Sequence, residues 1–216
     1  ASDVYKRQVT AFHVLPGSAN LMGGRGATFK NVPRNTIHDM KFPNAPHSLK
    51  MACGENPKRV YGNRGQAPST RMGNMAGFRK AWIRAENYKK LKTEYYEKSP
   101  SARELLDPPI RDLQLDTLVG VLDGSILVQN HCYRADEMAM MIEMSHEFNY
   151  QITAFHHAVE AYKIADLLAD EGICGALWAD WWGFKHEAYD MVQANIAIVD
   201  QARGGTGCAI VHSDDE

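Results

Sequence analysis

From residue 125 onward, short apolar runs alternate with amphipathic stretches. Residues 125–130 (SILVQN) read as a strand that runs into His131, and residues 135–148 as a helix with Met138, Met141, Ile142 and Met144 on one face. Residues 150–155 form the next strand, which enters His156-His157, and residues 159–170 the next helix. A third strand over 173–178, a third helix over 188–202 and a fourth strand over 208–211 complete the series. Strand–helix alternation of this kind predicts βαβ units on a parallel sheet. With no GxGxxG turn in these units, a TIM-like (β/α)8 barrel is favoured over a dinucleotide-binding sheet.

The first half is less regular. Residues 9–15 (VTAFHVL) read as a strand, 16–26 (PGSANLMGGRG) as a glycine-rich loop and 27–46 as an irregular excursion. Residues 48–52 read as a short strand, 54–68 as a polar loop, 71–92 as a long helix and 112–122 as a helix. The glycine-rich loop lacks the GK[ST] ending of a phosphate loop, which argues against nucleotide binding. Residues 1–8 (ASDVYKRQ) resemble translated sequencing-adapter sequence and are set apart, so the domain is expected over 9–216.

The 216 residues carry 24 basic and 26 acidic side chains, a net charge of −2 that offers no field for nucleic acid. No run of about eighteen apolar residues predicts a membrane span. The four cysteines, Cys53, Cys132, Cys174 and Cys208, lie far apart and read as small core residues.

Three features stand at the C-terminal ends of predicted strands: His131, the pair His156-His157, and Ser213-Asp214-Asp215. In a TIM-like barrel that edge is where strand ends converge on one pocket. Imidazole with carboxylate suits Zn²⁺ or another divalent metal, which makes water acidic and polarises a carbonyl. Asp214 can touch such a metal and also accept a proton, because a carboxylate offers several lone pairs.

The segments LVQNHCYRADEM, FHHAVEAYKIADLLAD and CAIVHSDDE resemble strands five, six and eight of the amidohydrolase superfamily. HVLPGSANLMGGRG, LKMACGENPKRVYG with TRMG, and ALWADWWGFKHEAYD are similar to further strand regions of its imidazolonepropionase-related group. The resemblance implies a partial barrel of about strands three to eight. It implies metal ligation by His131, by His157 instead of His156, and by Asp214, which would also be general base and acid. Lys50, or alternatively Glu55, would occupy the metal-bridging place on strand four, around one or two zinc ions. Tyr133, Arg134 and Lys185 would line the substrate pocket, with Arg134 equally able to form a structural ion pair.

The implied reaction is hydrolysis of an amide-like C–N bond in a small molecule such as a cyclic amide, a dipeptide or an N-acyl amino acid. A deaminase on the same scaffold and a non-catalytic barrel used for binding or assembly are the alternatives. The family's opening HxH pair has no counterpart here, and His13 reads as a packing residue or as a support behind the metal ligands. The 216 residues alone are therefore expected to be inactive, with open strand edges. A homo-oligomer stays open, and so does location, exported or cytoplasmic.

Overall fold

The computed structural model describes residues 9–212; Asp214 lies outside them. Seven strands form one sheet in chain order, β1 (Ala11–Val14), β2 (Met22–Lys30), β3 (His47–Ala52), β4 (Ile126–Cys132), β5 (Ile152–His157), β6 (Cys174–Trp178) and β7 (Ala209–His212). From β3 to β7 every neighbouring pair is parallel, joined by helical crossovers. The sheet curls into a half-barrel, a partial TIM-like (β/α) barrel as the alternation predicted. β1 and β7 are its edges among the described residues, and Ile210 and Val211 on β7 are exposed.

The glycine-rich stretch and the excursion after it do not form a loop throughout. Residues 22–30 make β2, antiparallel to both β1 and β3. Gly26 explains why this strand was hidden in the sequence. A Cβ there would lie 2.6 Å from Ser48 Oγ and 2.7 Å from Val14 O, so the close approach of three strands requires glycine. Residues 54–68 also differ from a plain polar loop, since α1 (Glu55–Gly62) starts directly behind β3.

Helix α2 (Arg71–Tyr96) begins where Thr70 Oγ1 accepts the Gly73 N–H, and extends four residues beyond the predicted end. Its buried residues Met75, Phe78, Trp82, Ala85 and Tyr88 recur at three- and four-residue steps, and the first four share a core with Leu49, Met51 and Val128 of the sheet. Trp82 meets the ring of Tyr150 at 4.4 Å between centroids. α3 (Leu113–Leu122) follows, and its Asp116 accepts hydrogen bonds from Arg111, Lys92 and Tyr88, which hold its carboxyl down at about 2.

α4 (Ala135–Glu147), α5 (Ala165–Asp170) and α6 (Asn195–Gly205) are the crossovers between the later strands. Met138, Met141, Ile142 and Met144 of α4 are buried in the same core as Val128, Ile152 and Phe155.

All four cysteines are paired, contrary to their reading as isolated core residues. Cys53 bonds Cys132 and Cys174 bonds Cys208, across neighbouring parallel strands with Cα atoms 5.2 and 4.6 Å apart. Sequence separations of 79 and 34 residues conceal this, because only the strand register brings each pair level.

Trp82 is fully buried, so Trp82→Ala should destabilise the domain by about 3–5 kcal/mol in urea unfolding. A change below about 1 kcal/mol would show that α2 is not packed on the sheet as described.

Candidate functional site

Parallel pairing from β3 to β7 places the C-terminal ends of these strands at one edge of the sheet. His131 lies near the end of β4 and is fully buried, in register with Ala52 of β3 and His156 of β5. Strict alternation would therefore put His156, not His157, on the face of His131. The backbone departs from that rule. His157 and Ala158 adopt φ values of 69° and 32°, in the left-handed region that non-glycine residues avoid.

This turn brings the His157 ring to 4.5 Å from that of His131, centroid to centroid, while His156 Nε2 pairs with Gln129 Oε1 at 2.6 Å. Neighbouring groups fix the strained pair. Ala158 N–H donates to Cys132 O at 3.0 Å, and buried Asn195 donates from Nδ2 to Ala158 O at 3.1 Å. Backbone held this way costs on the order of 1–3 kcal/mol per residue and marks sites where geometry serves function.

Aromatic rings wall the imidazole pair. Tyr133 lies edge-on to His131 at 4.5 Å, and Trp178 sits 4.5 Å from His157. Trp181 stacks on Trp178, and Phe184 meets both indoles edge-on. Lys185 enters this wall with its Nζ 4.0 Å above the Tyr133 ring. It donates to Asn56 Oδ1 at 3.1 Å and pairs with Glu55 at 3.6 Å. Burial pushes the Lys185 ammonium below its ordinary value, against the pull of Glu55 and Glu187. Asn56 also donates from Nδ2 to His131 Nε2 at 3.2 Å, so one amide links the imidazole to the ammonium.

The other expected residues have these partners among the described residues. Lys50 is buried on β3, with its Nζ donating to Pro16 O at 3.4 Å, and stands in register with Gln129, two positions before His131. Arg134 is the residue preceding α4 and forms a two-point pair with Asp136, the ion-pair alternative. His13 bonds Thr28 Oγ1 and Ser48 Oγ, each at 2.8 Å, which makes it a link between strands. Asn56, Trp178, Trp181 and Phe184 were not anticipated. Position alone carried the signal for Asn56, since Gly54-Glu55-Asn56 directly follows a strand whose C-terminal end lies at this edge.

Two adjacent imidazoles supply part of a zinc donor set. Among the described residues no group of three or more His, Cys, Asp or Glu side chains is arranged to hold a metal ion.

The class this architecture defines is the TIM-like (β/α) barrel, present in part. The chain superposes on a crystal structure of an amidohydrolase from Thermotoga maritima MSB8 with a TM-score of 0.82 and 32% identity, covering 94% of this chain and 50% of that one. It is also 33% identical over 201 residues to a protein named amidohydrolase tasK from Hapsidospora irregularis, over 84% of this chain and 20% of that protein. The chain thus spans half the solved structure and a fifth of the curated relative. No protein-family model matches it.

Asn56→Ala removes the acceptor of a half-buried ammonium and the donor to His131. It should cost about 1–3 kcal/mol in chemical denaturation. Stability within about 0.3 kcal/mol of wild type would show that the amide bridge does not form.

Proposed function

We propose that this chain forms part of the active site of a metal-dependent amidohydrolase of the imidazolonepropionase-related group, which hydrolyses an amide-like C–N bond in a small molecule. The single observation that carries this reading is the buried apposition of His131 and His157, built on a left-handed turn at a strand end. Similarity to two amidohydrolases supports the chemistry, and the segments around His131 and His157 support the group.

His131 and His157 would hold the ion, with Asp214 from the end of the chain and Lys50 from β3 completing its surroundings. The donor chemistry, neutral nitrogen with carboxylate, fits Zn²⁺. Such an ion, when bound, supplies Lewis acidity and a water acidic near neutral pH. Asp214 would take the proton from that water and deliver it to the departing nitrogen. Tyr133 and Lys185 face the same space and would orient the substrate, and the rings of Trp178, Trp181 and Phe184 would keep bulk water from it.

No helix among the described residues is long and apolar enough to cross a membrane. Two disulfides support folding in an oxidising compartment, so an exported location is part of this reading.

The test is zinc content and hydrolysis of a panel of dipeptides, N-acyl amino acids and cyclic amides by the protein encoded in its full reading frame. We expect stoichiometric zinc with turnover, and at least a hundredfold loss of kcat/KM in His131→Ala and His157→Ala. His156→Ala should retain zinc and most activity. Equal loss in His156→Ala and His157→Ala, or turnover unaffected by removing the metal, would contradict the assignment.

A further inference from the structure

Beside the imidazole pair, three charged side chains meet around Gly54 with two carboxylates to one guanidinium. Glu137, in the first turn of α4, is completely buried. Neither of its carboxylate oxygens receives a hydrogen bond from any described residue. Its nearest cation is Arg71, with Nε 3.7 Å from Glu137 Oε1. The hydrogen bond of Arg71 goes to the other acid, its Nη2 donating to Glu187 Oε1 at 2.6 Å, while its Nε has no hydrogen-bond partner among the described residues. The second oxygen of Glu187 accepts the Glu55 N–H at 2.9 Å.

Gly54 makes room for both acids. Its φ is +77°, and a Cβ there would lie 2.8 Å from Glu187 Oε2 and 3.3 Å from Glu137 Oε2. Asn74 Nδ2 donates to Gly54 O at 2.9 Å and pins this segment to α2. The remaining charges near Glu137 are Asp136 and Arg134, which neutralise each other as a two-point pair.

One guanidinium cannot neutralise two buried carboxylates, and an ionised carboxylate without donors is strongly disfavoured in a protein interior. We propose that Glu137 is a positioning residue of the candidate site: kept as a neutral acid, it leaves Arg71 wholly to Glu187, and that pair docks the Gly54–Asn56 segment against the loop carrying Lys185. The positioning role rests on the reading of His131, Asn56 and Lys185 as one site; the charge state of Glu137 does not. The consequence for the site is direct, since Asn56 touches His131 Nε2 and Lys185 lies two residues before Glu187.

Burial first, and the charge of Glu187 second, push the Glu137 carboxyl up to about 7. In the unfolded chain it ionises near its ordinary value of 4.5. The neutral acid therefore favours the folded state fully below about 4.5, and that advantage fades as pH rises to about 7. Above this, a second buried negative charge competes for Arg71, and the two docked segments loosen.

The decisive experiment combines a ¹³C NMR titration of glutamate side-chain carboxyls with amide hydrogen exchange at Glu55, in wild type and in Glu137→Gln. We expect one carboxyl resonance titrating near neutral pH and absent in Glu137→Gln. Exchange at the Glu55 amide, corrected for its intrinsic pH dependence, should accelerate at least tenfold in wild type between pH 6 and pH 8.5. In Glu137→Gln it should stay within twofold. Glu137→Asp, which keeps the acid, should retain the pH dependence and exclude a merely steric effect. A Glu137 resonance titrating between 4 and 5, or equal acceleration in wild type and Glu137→Gln, would overturn the proposal. Neutral-range titration in a protein without hydrolase activity would sink the enzymatic reading and leave this charge arrangement standing.

Discussion

The backbone at His157 and Ala158 is the constraint on which the candidate site depends. A β-strand presents alternate residues to opposite faces, and the register of β4 with β5 assigns His156 to the side of His131. Only the left-handed turn at the strand's end brings the next imidazole across. The strain is tolerated because the Cys132 carbonyl, the Ala158 amide and the buried Asn195 side chain tie the turn to β4 and α6. Packing that holds the fold together thus sets the geometry of the site.

The same edge explains the surroundings of the pair. Strand β3 is followed at once by Cys53, whose disulfide to Cys132 ties the start of the Gly54–Asn56 segment to the residue after His131. β6 ends in Trp178, which starts the aromatic wall. The loop beyond it returns Lys185 to the Tyr133 ring and Glu187 to Arg71. Four strand ends and one returning loop therefore converge on two imidazoles and the Lys185 ammonium. An arrangement of that kind suits a polar reaction sheltered from water, where each charge acts at low dielectric.

Much of the scaffold was legible because buried parallel strands read as continuous apolar runs separated by amphipathic helices. That signal located β3 to β7 and the main helices between them, α1 excepted. It failed where other physics governs. β2 is rich in glycine because neighbouring backbones approach closely, and this removes the usual strand signature. α1 lies in the polar stretch ENPKRVYG and has one buried residue, Pro57, so no apolar stripe announced it. The cysteine pairs depend on strand register, which spacing does not encode. For the site, family resemblance selected His157, whereas alternation alone would have selected His156. Asn56 and the buried Glu137 became visible only through their contacts, since a polar residue carries no mark of the partner it will meet.

The central claim, that His131 and His157 bind one ion together, is tested most directly by X-ray absorption spectroscopy of the zinc-loaded protein, comparing wild type with His131→Ala and His157→Ala. The account predicts imidazole scattering from the zinc that falls by one histidine in each variant. Unchanged imidazole scattering in either variant would contradict it.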